Sequence, residues 1–411
     1  MLTSRLNCIP RFALPYDAAD FAAEFTAMFR PLQPPDAFGL LGRSPKFWTC
    51  SGRQALRLLL TVLNLKPGSG VAVPLFSDPS LPSAILAAGH RPVFIDIHPE
   101  SLTMDPRSLE AAVGSFSAVV IVHLFGQLAD IPALMAAAGN VPVIEDAAHA
   151  PLSFLYGRMA GDFGLASFYS FASTKYWPAG GGGLLVVHEP ELADRVARAA
   201  GELMPPALVR EFRTLMLQAA KSAVFHRRLY GLLGRPMRRW AERIAILEPR
   251  LDMRAIQRSH AAGASRQASR FADRVERQRA NSLRLLSRLA SAEDVVVPHE
   301  RWGARYNYHL FPVLLRGPAE RAAVAAAMWA QFIDTSTLYS GSINACRKLG
   351  YNGGCPVSES VASRLITLPN YASLTNRQID EVAQVFLSSL KACRAMRRSP
   401  AGDQEVSVSV P

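Results

Sequence analysis

Short apolar runs alternate with stretches of helical periodicity through the first half of this chain. Val71 to Phe76, Pro92 to Ile97 and Ala118 to Phe125 read as buried strands, as does a run entered at Val141 and closed by Asp146. A further strand ends at Ser170. Between them, apolar residues at helical spacing predict helices from a Ser51 cap to Leu63, over Pro82 to Ala88 and over Ile131 to Ala138. Strands alternating with helices through Val187 predict an α/β domain with a largely parallel sheet. Ligands then belong at the carboxyl ends of the strands.

The rest of the chain changes pattern. Residues 17 to 49 read as a helical segment interrupted by prolines. Leu208, Phe212, Leu215, Met216, Ala219 and Val224 recur at near-helical spacing, and Arg227, Arg228, Arg235, Arg238 and Arg239 follow. A long arginine-rich helix is expected to run to about Leu289. Tyr308 to Val313 then reads as the first strand of a smaller domain, Glu320 to Phe332 as a packed helix, and Asn376 to Leu390 as a closing helix capped near Thr375. The expected division is an N-terminal segment 1–49, a large domain 50–203, a basic amphipathic insertion 204–250, a long helix with a small C-terminal domain 251–394, and a polar, disordered tail 395–411.

Composition narrows the class. The 411 residues are 49% hydrophobic and 19% charged, as in a globular protein of two or three domains. Residues 1–16 do not read as a secretory signal, and no apolar run reaches the ~20 residues needed to span a bilayer. Five cysteines without a CxxC pair or metal spacing predict reduced thiols, no metal site and a cytoplasmic protein. The segment 204–250 carries ten Lys/Arg against three Asp/Glu, seven of the twelve net positive charges. That pattern suits either an anionic membrane surface or pyrophosphate, or helices packed with a solvated arginine face. Nucleic acid is not expected, because no reading module accompanies the charge.

The candidate chemistry lies between Val143 and Val187. One strand ends in an acid, Asp146; the next ends in Ser170 and is followed by Lys175, one of six lysines in the chain. Four glycines, 180 to 183, come next. A desolvated lysine amine attacks aldehydes to form a Schiff base, and Lys175 is the candidate catalytic residue. A carboxylate keeps a pyridine nitrogen protonated, a role that suits Asp146 in a pyridoxal phosphate site. Hydroxyl and backbone donors at Ser170 and a glycine-bearing turn suit the phosphate. Read singly, Asp146 is equally a helix cap and Lys175 a solvated charge. His123, at a strand end, reads as a satisfied packing group.

These residues resemble the DegT/DnrJ/EryC1/StrS family of sugar aminotransferases. The resemblance rests on Glu145-Asp146-Ala147-Ala148-His149, on Gly157 to Asp162, on Ser170-Phe171-Ala172-Ser173-Thr174-Lys175 and on Gly180 to Gly183. It extends from about Cys50 to Leu390, through Pro356 to Glu359 and Leu368-Pro369-Asn370-Tyr371. It implies a fold-type-I pyridoxal 5'-phosphate transferase, with a large α/β/α domain of mostly parallel sheet and a smaller C-terminal α+β domain. It also implies a homodimer that takes nitrogen from an amino donor, usually glutamate, to the keto group of a nucleotide-linked sugar, for amino-sugar or polysaccharide biosynthesis. The cofactor residues it implies are Gly52, Arg53, Asp146, His149, Ser170 and Lys175. The retained lysine argues against the family's dehydratase branch.

The chain departs from that pattern at four places. Arg53 replaces a threonine and either contacts phosphate or points to solvent. Asp78 holds the place of the aromatic ring that covers the cofactor, so the ring is missing or Phe76 substitutes through a shifted loop. Tyr176-Trp177-Pro178 follows the lysine where asparagine is common. Met253 and Ala255 fall on an Asn-x-Arg pair, with His260-Ala261-Ala262 on the following Gln-Ala-Ala. These departures leave three rival readings: another fold-type-I reaction on a non-sugar or lipid-linked ketone, a cofactor-free scaffold or regulatory protein, and a peripheral membrane protein.

Overall fold

The computed structural model describes residues 8–35, 39–226, 229–234 and 253–398. Its strands are β1 (Lys46–Thr49), β2 (Gly70–Pro74), β3 (Arg91–Ile95), β4 (Ala118–Val122), β5 (Val143–Asp146), β6 (Phe154–Leu155), β7 (Arg158–Met159), β8 (Ala166–Ser170), β9 (Gly183–Val187), β10 (Ala304–Arg305), β11 (Phe311–Leu314) and β12 (Leu365–Leu368). Seven of them form the main sheet, in the order β1-β9-β8-β5-β4-β2-β3. Pairs from β8 to β3 are parallel, whereas β9 runs antiparallel to both β8 and β1. β4, β5 and β9 are buried throughout, as continuous apolar runs in a sheet covered on both faces should be.

The helices are α1 (Ala18–Ala27), α2 (Gly52–Val62), α3 (Ser80–Ala87), α4 (Pro106–Ala111), α5 (Ile131–Ala138), α6 (Pro190–Gly201), α7 (Leu208–Val224), α8 (Arg258–Ala268), α9 (Phe271–Leu289), α10 (Pro318–Ala330), α11 (Ser342–Lys348), α12 (Pro356–Arg364) and α13 (Asn376–Arg398). Their starts follow local chemistry. Ser51, Asp105 and Asp130 each accept a backbone N–H at the first turn of the helix they precede. Asp17 and Asp20 cap α1 reciprocally, 2.8 and 3.0 Å apart.

Several sequence expectations need correction. Among the described residues of 17–49, α-helix is confined to Ala18–Ala27, a 3-10 turn lies at Gly39–Leu41, and Lys46–Thr49 joins the sheet beside β9. Four residues are too few to show a period, and only pairing with β9 makes them a strand. The run from Ala118 stops at Val122, because Phe125 adopts a left-handed φ of 62° inside a tight turn. The strand expected from Tyr308 begins at Phe311, since Tyr308 also has a positive φ, 51°. Residues 395–398 continue α13, while 399–411 lie outside the described residues. Arg227, Arg228, Arg235, Arg238 and Arg239 also lie outside them.

A second apolar cluster joins β11, β12, α9, α10 and α13 through Phe311, Ile366, Leu285, Met328 and Phe386. Ile9 belongs to it and bridges Ile333, so the chain's start is stitched onto its last third. The segment 343–365 packs instead into the main core, through Ile343, Cys346, Tyr351 and Val361. We propose the division set out above with two changes, Lys46–Thr49 joining the large domain and 395–398 the small one, and with that segment crossing between the two cores.

α1 lies against α8 and carries a buried acid. Glu24 is 1% exposed, one of its oxygens lacks a partner, and a Cβ on Gly263 would sit 2.3 Å from that oxygen. Burial, reinforced by the charge of Asp20, pushes the Glu24 carboxyl up to about 8. The unfolded chain releases this proton near pH 4.5 and the folded chain retains it, so this group's contribution to stability falls as pH rises from 4.5 to 8. Glu24→Gln removes that dependence. The variant is expected to gain on the order of 4 kcal/mol over the parent at pH 8 and little at pH 5. Urea unfolding at both pH values measures this, and equal pH slopes in the two proteins would refute the assignment.

Candidate active site

The strand ends and one helix start converge. Ser51 is extended, and its hydroxyl accepts the Gln54 N–H at 3.2 Å, which starts α2. The first N–H groups of a helix have no intrahelical partner and favour an anion. Gly52 lets this end approach β8: a Cβ there would lie 3.1 Å from the Cβ of Ser170 and 3.3 Å from the Tyr169 carbonyl. Gly183 does the same from the other side, where a Cβ would lie 2.5 Å from the Ser51 carbonyl carbon. Gly52 and Ser170 are thereby brought together. Arg53 follows, half-buried, on the first turn.

Asp146 ends β5 and is 9% exposed. One of its oxygens accepts the Ala148 N–H at 3.0 Å. Burial pushes its carboxyl up to about 6, against the opposing pull of Lys175, and the nearby Asp78 charge adds to the rise. Among the described residues Asp146 forms no direct ion pair, so a positive group placed against it is favoured. Lys175 lies in the turn after β8, with its Nζ 2.7 Å from His149 Nε2. Burial, then Lys175 and His309, hold the His149 imidazole well below its usual pKa. His149 Nδ1 accepts the Phe125 N–H at 3.3 Å, and Nε2 is the ring nitrogen that faces Lys175. Lys175, His149 and Asp146 thus occupy one site.

The loop that leads into β8 is held by a buried carboxylate. Glu145 accepts the N–H groups of Gly161 at 2.8 Å and of Phe163 and Gly164 at 2.6 Å. It also faces His123 Nε2 at 2.9 Å. Burial raises the Glu145 pKa, but His123 and these backbone donors outweigh it and hold the group ionised. His123 Nδ1 accepts the Ala129 N–H at 3.3 Å. His123 is therefore a satisfied packing group, as its place in the sequence suggested.

Three residues from the last third of the chain reach this site, and the sequence did not single them out. Asn307 donates to the His149 and Pro151 carbonyls at 3.0 and 2.8 Å and so fixes the loop after β5. The His309 ring meets the His149 ring edge-on at 4.6 Å, and burial with the Lys175 charge drives its pKa to about 3. The Tyr339 ring lies 6.5 Å from His149 at 27°. No motif joins these residues to Asp146, since more than 150 positions separate them.

The other departures have clear places. Phe76 is buried against Phe125 and Tyr339. Asp78 accepts the Ser80 N–H at 2.9 Å just ahead of α3. Neither provides an open ring. Tyr176 and Trp177 pack on Phe271, with centroids 5.3 and 4.4 Å away. The Arg254 carbonyl accepts from Gln54 at 2.9 Å, which holds the Met253–Ala255 stretch beside α2. The His260 imidazole fills the space over Gly181, where a Cβ would lie 2.5 Å from it.

A mostly parallel sheet with a lysine, an acid and a helix N-terminus at its carboxyl edge defines the class of fold-type-I aminotransferases. The solved aminotransferase TlmJ from Streptoalloteichus hindustanus shares the fold at a TM-score of 0.74 and 23% identity, over 95% of this chain and 100% of that one. The chain belongs to the DegT/DnrJ/EryC1/StrS aminotransferase family, which it matches over residues 41–387. Among its relatives is the UDP-N-acetyl-3-dehydro-alpha-D-glucosamine 3-aminotransferase of Acidithiobacillus ferrooxidans, 28% identical over 86% of each chain. Another is the pleiotropic regulatory protein of Geobacillus stearothermophilus, 28% identical over 82% of this chain and 83% of the relative.

Proposed function

We propose that this protein transfers an amino group, with pyridoxal phosphate and glutamate as donor, to the keto group of a nucleotide-linked sugar. The observation that carries the reading is Lys175, His149 and Asp146 in one site at the carboxyl edge of the sheet. The residues suit the cofactor. The buried Asp146 needs a cation, and Gly52 keeps open a cradle beside Ser170 that a Cβ would fill. When bound, the cofactor supplies an aldehyde and an electron-withdrawing ring.

The chain's own residues do the remaining work. Gly52, Ser170 and the start of α2 hold the phosphate, with Arg53 beside them. Asp146 would hold the cofactor at its ring nitrogen and keep that nitrogen protonated. Lys175 would hold the cofactor through Nζ, and its amine would serve as the base and acid that moves a proton. His149 sets the direction of Nζ. The sugar-nucleotide assignment draws on the named activity of the Acidithiobacillus relative. We place the enzyme in the cytoplasm as a homodimer; no helix among the described residues is long and apolar enough to cross a membrane.

The test uses cofactor-loaded protein, labelled glutamate and a panel of keto substrates linked to UDP, dTDP or GDP, beside non-sugar ketones. Amination of a nucleotide-linked sugar at least a hundredfold faster than of any non-sugar ketone is expected. Amination confined to non-sugar or lipid-linked ketones would instead establish the rival fold-type-I reaction. Absence of cofactor binding would favour a regulatory role, the one named for the Geobacillus relative.

One observation favours a second activity beside catalysis. On α7, Glu211, Leu215 and Gln218 face inward, while Leu208, Val209, Phe212, Met216 and Leu217 are exposed, Val209 by 81%. Arg213 and Lys221 are exposed beside them, in a segment that carries seven net positive charges. Such a face suits an anionic membrane surface. Sedimentation with phosphatidylserine vesicles, lost in ~0.5 M salt as the Debye length shrinks below 8 Å, is expected. Phe212→Glu should abolish it. Salt-insensitive partition, or none, would rule out the electrostatic role.

A further inference from the structure

The aspartate at position 78 leaves the cofactor ring without its expected aromatic cover, and the last third of the chain holds a replacement. Of the rings gathered about His149, Phe76, Phe125, Tyr176 and His309 are buried, whereas Tyr339 is partly open. The Tyr339 ring lies 27° from parallel to His149, with centroids 6.5 Å apart. His149 contacts Lys175, and the charges of both Asp78 and Asp146 act on the Tyr339 hydroxyl. Tyr339 therefore lies against the histidine that contacts the lysine, within the field of Asp78 and of the acid that the proposed function assigns to the cofactor.

Its support is built in. Phe76 meets the Tyr339 ring edge-on at 5.8 Å, and Phe125 lies 6.2 Å away. The Tyr339 carbonyl accepts the Ser342 N–H at 3.0 Å and its hydroxyl at 2.7 Å. The backbone is left-handed, φ 65°, a costly conformation for an aromatic residue that persists only where its surroundings enforce it.

We propose that Tyr339 is a positioning residue whose ring covers the cofactor's pyridine, in place of a side chain at position 78. The inference rests on the proposed function. It also makes cofactor retention depend on the loop after α10.

The test is a pyridoxal phosphate titration, read by absorbance and fluorescence, of the full chain and of Tyr339→Phe, Tyr339→Leu and Tyr339→Ala. Circular dichroism confirms that each variant is folded. Loss of a stacked ring is expected to weaken binding roughly tenfold, within the range for aromatic contacts. It should also shift the lysine-dependent absorption band in the Leu and Ala variants, whereas Phe stays within twofold of the parent. The double variant Tyr339→Ala/Asp78→Tyr should regain most of the lost affinity. Unchanged affinity and band position in folded Tyr339→Leu, with a parent that binds through Lys175, would overturn this inference and leave the proposed function standing. A parent without any lysine-dependent band would overturn both.

Discussion

Lys175→Ala is expected to abolish transamination, with at least a 10⁴-fold fall in turnover and loss of the cofactor's lysine-dependent absorption band. The proposed function rests two roles on one amine: covalent attachment of the cofactor and movement of the proton. Lys175 Nζ meets His149 Nε2 at 2.7 Å, and the other described lysines lie elsewhere in the chain. The fold should be unaffected, because Lys175 is half-buried in a turn held by its backbone N–H on the Ala172 carbonyl at 2.9 Å. Absorbance with added pyridoxal phosphate, borohydride trapping and peptide mapping measure the attachment. A trapped cofactor on another lysine, or activity surviving in the variant, would remove Lys175 from its role.

Asp146→Asn should be nearly as damaging, with about a 10³-fold loss of turnover, on the scale set by removal of a positioned charged group. Asparagine retains an acceptor for the Ala148 N–H, so the turn after β5 survives while the charge disappears. The parent's pH dependence supplies an independent check. In the cofactor-free protein the Asp146 carboxyl is raised to about 6, chiefly by burial. Its own contribution to folding is thus present below the unfolded value near 3.8 and is lost as pH rises through 6. Binding of a cationic ring nitrogen has the opposite sign: it needs the carboxylate. Cofactor affinity should therefore fall about tenfold per unit as pH drops below 6, and the Asn variant should lack that slope. Titrations between pH 5 and 8 decide the point; an identical slope in parent and variant would assign the titration to another group.

Much of the first half was readable because its signals are local. The Asp146 strand, the Ser51 cap and the glycines at 180–183 each combine a short period with a punctuating residue. β1 was missed because four residues show no period, and they become a strand only through pairing with β9. The run at Ala118–Phe125 was overextended because periodicity cannot register the left-handed turn at Phe125. The basic segment stays divided: α7 presents its apolar strip, while the arginines after it lie outside the described residues.

The sequence alone determined the family, the alternating sheet, and the lysine, acid and hydroxyl that the proposed function assigns to the site. Those features are set by residue type, spacing and backbone sterics, which act over a few positions. Tertiary structure alone decided what surrounds them. Asn307 on the His149 carbonyl, His309 edge-on to the His149 ring and Tyr339 beside Asp78 come from segments more than 150 residues away from Asp146. Burial, which sets the Asp146 and Glu24 carboxyls near 6 and 8, is likewise a property of the packed chain. Desolvation depends on which distant groups replace water, and no local pattern encodes it.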